Sequence, residues 1–194
     1  MRIGLFGGSF NPVHKGHLAI VTQVLARGSV DRVLVIPAAQ NPLKEGLPQL
    51  PDELRLQMLK AAFQGLPQVE VRPDEIQRGG PSYTWQTIEA LQGEFPAAEL
   101  FLLLGQDAYE MFPHWHRGER ILELCRILVF PRSGAGTFSP DLRGGRVEVV
   151  ELNLPELSST QIRSWNHKPA LAREFLPPQV FEIWRSHWEH FHEI

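Results

Sequence analysis

Short apolar runs recur along the chain and alternate with segments of helical periodicity. Runs typical of buried strands occupy residues 2–6, 31–37, 99–105, 126–130 and 146–152, with a weaker one at 69–71. Between them, the spacing of apolar residues predicts helices over 17–26, 52–64 and 84–92. Strands that alternate with helices of this length indicate right-handed βαβ units. The predicted fold is therefore α/β, with a Rossmann-like, doubly wound and mainly parallel sheet.

The C-terminal segment has helical patterns without intervening strands. Helices are predicted over 157–166 and 178–192, and the second carries Val180, Ile183 and Trp184 at core spacing. We predict a single domain over 1–194, made of an α/β core, 1–155, and a helical extension, 156–194. Residues 133–146 are rich in Gly, Ser and Pro, which predicts a loop.

Composition narrows the function classes. The 194 residues are 43% hydrophobic and carry a net charge of −3, so no basic excess indicates a nucleic-acid partner. No apolar run approaches the ~18 residues that span a bilayer. The start of the chain lacks a signal-peptide pattern, and a lone cysteine, Cys125, suits a reducing compartment. We expect a cytoplasmic protein; a homo-oligomer remains open.

The predicted first strand runs into the segment GGSFNPVHKGH, residues 7–17, hereafter the first loop. Its two adjacent glycines let backbone N–H groups approach an anion, and the N-terminus of the next helix adds favourable potential. Gly16 leaves room for His17 beside a bound phosphate. His14 and His17 are close enough to share one ligand, to which imidazoles donate hydrogen bonds. The first loop is therefore predicted to bind phosphate.

Other interpretations of the first loop fit less well. It lacks the GK[ST] ending of a Walker loop, and the chain contains no GxGxxG dinucleotide fingerprint. A zinc site is disfavoured because no third ligand of suitable type stands near the two histidines in sequence. An ordinary strand-to-helix turn with solvent-facing histidines is the remaining alternative. Position after the first strand favours the phosphate site over that turn.

A second anion-binding element is predicted at residues 157–163, LSSTQIR. Ser158 and Gln161 have the spacing of a capping box at a helix start. Ser159 and Arg163 are four residues apart, so both can face one ligand at the helix N-terminus. The planar guanidinium of Arg163 suits phosphate oxygens. Taken alone, the segment also fits an ordinary capped helix with a solvated arginine.

These two segments carry a family resemblance. The first loop resembles the signature loop of HxGH nucleotidyltransferases, and it is most similar to that of bacterial nicotinate-nucleotide adenylyltransferases; Asn11 stands where they usually have Asp. Residues 157–163 resemble their ISSTxIR element. The resemblance implies that Ser159 and Arg163 hold the β- and γ-phosphates of ATP. It assigns catalysis to His14, His17 and Arg163, and ATP binding to Gly7, Gly8, Ser9, Phe10, Gly16, Gly105, Ser158, Ser159, Thr160 and Arg132.

Segments GPSYTWQT (80–87), LGQD (104–107) with FPHW (112–115), and NPLK (41–44) resemble the acceptor side of the same family. Physically, Trp115 can stack on a flat ring, Asp107 can accept hydrogen bonds from ribose hydroxyls, and Lys44 can neutralise the charge of a phosphate. Each has a structural alternative: Trp115 as a core residue, Asp107 as a helix cap, and Lys44 as a solvated charge in a turn. The family often has His where this chain has Leu43. The resemblance implies binding of nicotinate mononucleotide by Lys44, Tyr83, Thr84, Asp107, Trp115 and His116.

The resemblance implies transfer of AMP from ATP to nicotinate mononucleotide, a step of NAD biosynthesis that releases pyrophosphate. A phosphate monoester is mostly dianionic at pH 7, so the acceptor needs no general base. The two histidines would then stabilise charge, and Mg²⁺ would arrive with ATP. Alternatives are nicotinamide mononucleotide, another phosphate monoester such as phosphopantetheine, or a non-catalytic nucleotide-binding regulator.

Several other polar residues receive structural interpretations. Asp74 and Glu75 are expected to form an acidic pair on the surface. Cys125 is expected to be inert core. His187, together with histidines 190 and 192, is expected to belong to an amphipathic packing helix rather than a metal site.

Overall fold

The computed structural model describes residues 1–44, 46–47, 49–131, 143–155, 157–165 and 168–187. Within this part of the chain, one parallel sheet has the strand order β3-β2-β1-β4-β5-β6. Its strands are β1 (Arg2–Gly8), β2 (Arg32–Pro37), β3 (Val69–Val71), β4 (Glu99–Gly105), β5 (Arg126–Phe130) and β6 (Val147–Val149). This doubly wound order confirms the predicted fold class.

The strand order reverses between β1 and β4. β1 pairs with β2 from Ile3 as far as Gly8, but it pairs with β4 only from Arg2 to Leu5. The carboxyl ends of β1 and β4 are therefore not joined by backbone pairing beyond Leu5. In open α/β sheets, ligands bind in the crevice at such a switch point.

Helices cover the sheet and continue past its last strand. They are α1 (Lys15–Ala26), α2 (Asp52–Ala62), α3 (Asp74–Arg78), α4 (Thr84–Glu94), α5 (Gln106–Glu110), α6 (Gly118–Leu124), α7 (Ser159–Ser164), α8 (Pro169–Phe175) and α9 (Pro178–Ser186). Short 3₁₀ turns occupy Pro42–Lys44, Phe112–His114 and Arg143–Gly145. No helix in the described ranges is both long and apolar enough to cross a bilayer.

Alternate residues of the central strands enter different cores. Val33, Val35 and Leu103 face one cluster, which α1, α2 and α9 complete, whereas Leu34 and Leu104 face another beneath α4 and α6. Burial on both faces explains why the strands are nearly continuous apolar runs. The C-terminal helices share the first cluster, because the indole of Trp184 in α9 is fully buried there beside α2.

Element boundaries depart from the predictions at several places. The helix predicted to start at residue 17 begins at Lys15, with His14 as its N-cap. The strand predicted over 146–152 is shortened to Val147–Val149. The helices α3, α5, α6 and α8 were not predicted, because five to seven residues are too few to display helical periodicity.

Parts of three predictions lie outside the described residues: 133–142 of the loop, 166 of the helix over 157–166, and 188–192 of the last helix. Cys125 is buried as expected, and burial raises the pKa of its thiol to about 12. At neutral pH the thiol is therefore uncharged and unreactive.

Candidate active site

A cleft of about 680 Å³ opens at the carboxyl edge of the sheet, where β1 and β4 diverge. Its volume falls in the range of small-molecule sites. Of the residues selected from the sequence, the described ones all line it: Gly7, Gly8, Ser9, Phe10, His14, Gly16, His17, Lys44, Tyr83, Thr84, Gly105, Asp107, Trp115, His116, Ser158, Ser159, Thr160 and Arg163. Arg132 lies outside the described residues.

The first loop brings its two histidines into direct contact. Their rings stack with centroids 3.7 Å apart, and the backbone N–H of His14 donates a 3.2 Å hydrogen bond to Nδ1 of His17. This bond leaves Nε2 as the His17 nitrogen that carries its proton when the ring is neutral. Phe10, whose φ is +45°, packs against His17 in an edge-to-face arrangement with ring centroids 5.0 Å apart.

Gly16 is required by the position of the His14 ring. A Cβ built on Gly16 would lie 3.0 Å from both Cε1 and Nδ1 of His14. His14 is 5% exposed, and its Nδ1 is buried without a hydrogen-bond partner among the described residues. A buried polar atom that lines a cleft and lacks a partner is a candidate ligand contact.

Both histidines are neutral at physiological pH in this structure. Burial, reinforced by Lys44, lowers the pKa of His17 to about 3. Burial, reinforced by His17, also lowers the pKa of His14. A neutral imidazole still donates one hydrogen bond, and a bound anion would oppose these shifts by favouring the charged form.

The helix α7 reaches the first loop from the far end of the sequence. The predicted capping box is confirmed, since the Ser158 N–H donates to the Gln161 side chain at 2.8 Å and its hydroxyl accepts from the Gln161 N–H at 3.2 Å. The Ser159 hydroxyl donates to the Pro12 carbonyl at 2.9 Å. Nη1 of Arg163 donates to the Asn11 carbonyl at 2.8 Å.

The guanidinium of Arg163 is a cation available to an anionic ligand. It has no carboxylate partner among the described residues; its other contact is the Thr160 hydroxyl, 3.2 Å from Nη2. Partial burial lowers the pKa of this guanidinium, yet the group stays charged at neutral pH. Ser159 and Arg163 both line the cleft, and their binding of one shared ligand stays a prediction.

Sequence reasoning missed a buried cation behind the first loop. Arg55, in α2, has no exposed surface and donates to the carbonyls of Ser9 at 2.8 Å and Ala38 at 2.7 Å. Asp52 accepts a further bond from it at 2.5 Å. Arg55 thus links the loops that follow β1 and β2. The only available signal was an arginine at a core position of an amphipathic helix.

Aromatic and polar groups line the opposite side of the cleft. The ring of Tyr83 lies 4.9 Å from that of His116, and Thr84 begins α4. Trp115 is half-buried and packs on Phe112 with centroids 5.6 Å apart, so part of its ring belongs to the core. Asp107 lies in the first turn of α5, after Gly105 at the end of β4.

Glu75 corrects the expectation of a surface acidic pair. It is 7% exposed and lines the cleft, whereas its neighbour Asp74 pairs with Arg72 at 2.9 Å. Burial raises the pKa of Glu75, while hydrogen bonds from the hydroxyls of Thr87 and Ser82 oppose the rise. Two adjacent acidic residues in a sequence do not reveal that α3 turns one of them inward.

The described residues contain no group of three His, Cys, Asp or Glu side chains that could cage a metal ion. Asp107 is a carboxylate on the cleft wall, beside the space where anionic ligands would lie. Mg²⁺ commonly binds through substrate phosphates and water with one or two protein carboxylates. The donor set therefore fits a metal ion carried by a nucleotide.

Comparison with known proteins gives a consistent family. Residues 5–164 match the model of the cytidylyltransferase-like family. A probable nicotinate-nucleotide adenylyltransferase of Gemmatimonas aurantiaca is 41% identical over 186 residues, covering 93% of this chain and 88% of the relative. A relative of the same description from Bacteroides thetaiotaomicron is 36% identical, covering 96% and 92%.

Solved structures show the same fold. The Plasmodium falciparum nicotinic acid mononucleotide adenylyltransferase, complexed with NaAD, superposes with a TM-score of 0.77 at 14% identity, over 97% of this chain and 98% of that one. The same enzyme complexed with APC gives a TM-score of 0.75.

Proposed function

Because the chain belongs to the nicotinate-nucleotide adenylyltransferase family, within the cytidylyltransferase-like proteins, we propose that it transfers AMP from ATP to nicotinate mononucleotide. The products are nicotinate adenine dinucleotide and pyrophosphate. The observation that supports this most directly is a continuous cleft, which joins the donors of the first loop and α7 to the aromatic side chains of Tyr83 and Trp115. One cavity thus offers space for two anionic substrates in contact.

In the proposed reaction, a phosphate oxygen of the mononucleotide attacks the α-phosphorus of ATP. The new phosphorus–oxygen bond forms as the bond to the β-phosphate bridging oxygen breaks, and that electron pair leaves with pyrophosphate. The acceptor phosphate has a second pKa near 6, so it attacks as a dianion and needs no base at pH 7. The low pKa values of both histidines agree with a donor role rather than proton abstraction.

On the ATP side, His14 and His17 donate to the α-phosphate, where charge accumulates in the transition state. Glycines of the first loop admit the phosphates close to the backbone, and α1 begins there. Ser159 and Arg163 exchange part of their contacts with the first loop for the β- and γ-phosphates. Lys44 adds positive charge at the rim, close enough to act on His17.

On the acceptor side, Trp115 stacks on the pyridine ring with the face that Phe112 leaves uncovered. Thr84, with Tyr83 and His116 beside it, receives the ring carboxylate, for which the N–H groups at the start of α4 are natural donors. Asp107 accepts hydrogen bonds from the ribose hydroxyls. Correct alignment of two bound anions is worth up to ~7–11 kcal/mol of the barrier.

Nucleotidyltransferases generally use a divalent metal with the nucleotide, and we propose that here it is Mg²⁺. When bound, it would neutralise charge on the triphosphate and on departing pyrophosphate. Asp107, a carboxylate that lines the cleft, is proposed to contact its water shell.

We further propose that the chain acts as a single domain in the cytoplasm, with small-molecule partners and no nucleic acid. Support for one domain comes from α9, which packs on α2 within the core of the sheet. The net charge of −3 supports local rather than global recognition of anions.

Pyrophosphate release tests the proposed function. ATP and Mg²⁺ are mixed with nicotinate mononucleotide, nicotinamide mononucleotide or phosphopantetheine, and initial rates are compared as kcat/KM. We expect the nicotinate substrate to be preferred. Equal or greater kcat/KM for another acceptor would reassign the substrate, and no release with any of them would favour a nucleotide-binding regulator.

A further inference from the structure

Glu75 is a buried carboxyl group at the edge of the cleft, and the proposed reaction does not use it. Its Oε1 accepts a 2.6 Å hydrogen bond from the Thr87 hydroxyl in α4, and Nη2 of Arg78 lies 4.0 Å away. Burying a carboxyl costs free energy unless partners compensate. A protein that keeps one here gains something from the contacts that the carboxyl makes.

Ser82 connects Glu75 to the loop that follows β2. Its hydroxyl accepts the Ala39 N–H at 2.9 Å, and its own N–H donates to the Gln40 carbonyl at 2.8 Å. The same hydroxyl is one of the two whose hydrogen bonding opposes the raised pKa of Glu75. Glu75 therefore contacts Ser82 and Thr87, which lie on either side of Tyr83 and Thr84 in the sequence. Tyr83 and Thr84 line the cleft, and the residues before and after them, Ser82 and Thr87, are held in place.

We propose that Glu75 is a positioning residue for the acceptor subsite. Its carboxylate holds Ser82 and Thr87 so that Tyr83 and Thr84 meet the ring carboxylate of the acceptor with little loss of conformational freedom on binding. This inference rests on the proposed function, since it assumes that the side of the cleft formed by α4 binds the mononucleotide.

A direct contact between Glu75 and the acceptor is the competing interpretation. An ionised Glu75 beside a pyridine carboxylate would repel it, whereas an amide at that place could donate to Glu75. Removing the carboxylate would then favour nicotinate mononucleotide over nicotinamide mononucleotide. A positioning role predicts the reverse, a loss of affinity for the nicotinate substrate.

The experiment compares the wild type with Glu75→Ala, Glu75→Gln and Thr87→Val. For Glu75→Ala we expect KM for nicotinate mononucleotide to rise roughly tenfold, while KM for ATP changes by less than about twofold. Glu75→Gln keeps one oxygen as an acceptor for the Thr87 hydroxyl and should restore part of the affinity. Because Glu75 and Thr87 act through one contact, the double variant Glu75→Ala/Thr87→Val should raise KM for nicotinate mononucleotide little more than Glu75→Ala does.

Glu89→Ala is the matched control, because Glu89 is an exposed α4 carboxylate paired with Arg120 at 2.9 Å. It should leave both KM values unchanged. Parallel rises in both KM values in Glu75→Ala, additive effects of the two substitutions, or improved preference for nicotinate would overturn the positioning role. An inactive wild type would instead refute the proposed function, which separates the two failures.

Discussion

The rings of His14 and His17 stack 3.7 Å apart at the entrance to α1. Two imidazoles at this distance cannot both take up a proton without strong repulsion. In the folded protein the pKa of each is lowered, to about 3 for His17, whereas in the unfolded chain each returns to about 6.5. Acid therefore protonates these residues preferentially in the unfolded chain.

We predict a pH dependence of stability from this pair. Above about pH 6.5 the histidines contribute no slope; below it, the free energy of unfolding decreases as pH falls, by up to ~1.4 kcal/mol per pH unit for each. Urea unfolding between pH 5 and 7 measures the slope, with His14→Gln/His17→Gln as the comparison. The double variant should have a shallower slope, and equal slopes would show that the pair titrates normally.

His17→Ala should depress catalysis far more than stability. Loss of a donor to the α-phosphate is expected to lower kcat by ~10²–10³-fold, whereas the free energy of unfolding should fall by about 1 kcal/mol. Pyrophosphate release and thermal melting provide the two measurements. His187→Ala, at the end of α9 and outside the cleft lining, is the matched control and should retain kcat. An unaltered rate in His17→Ala would refute the phosphate assignment.

Two glycine-to-alanine substitutions separate the steric role of Gly16 from the general effect of replacing a helical glycine. Gly16→Ala places a methyl group 3.0 Å from the His14 ring, so we expect the ring to move and kcat/KM to fall. Gly93, near the end of α4, has no atom within 4 Å of the position where a Cβ would lie. Gly93→Ala should raise the free energy of unfolding by ~0.5–1 kcal/mol and leave kcat/KM unchanged. Wild-type kinetics in Gly16→Ala would contradict the fixed His14 ring.

Trp184→Ala tests whether the C-terminal helices stabilise the α/β core. The indole is fully buried where α9 packs on α2, so truncation should cost ~3–5 kcal/mol. Arg185→Ala, its exposed neighbour, should cost little. Chemical unfolding followed by circular dichroism should show one transition, shifted in Trp184→Ala. A separate early transition would mean that α9 unfolds independently.

The sequence could predict features that depend on periodicity or on local spacing. The longer strands of the sheet are nearly continuous apolar runs, and Ser158 with Gln161 forms its capping box within four residues. The convergence of the first loop and 157–163 could be predicted from their family resemblance, although the contacts of Ser159 and Arg163 with loop carbonyls could not.

Features decided by packing could not be predicted. Glu75 and Asp74 are chemically alike in the sequence, and only the placement of α3 against α4 buries one carboxyl and exposes the other to Arg72. Arg55 occupies a core position of α2, but the sequence does not show that its guanidinium bonds to the carbonyls of Ser9 and Ala38. In both cases, distant segments provide the hydrogen bonds that make burial of a charge tolerable.

The bond from Ser159 to the Pro12 carbonyl spans 147 positions of the sequence. During translation, both imidazoles leave the ribosome early, but α7 follows only after the whole sheet has been synthesised. The contact between the first loop and α7 therefore forms only when most of the chain is available. If Ser159 and Arg163 have the phosphate-binding roles proposed above, a fragment that ends before α7 would lack that half of the ATP site.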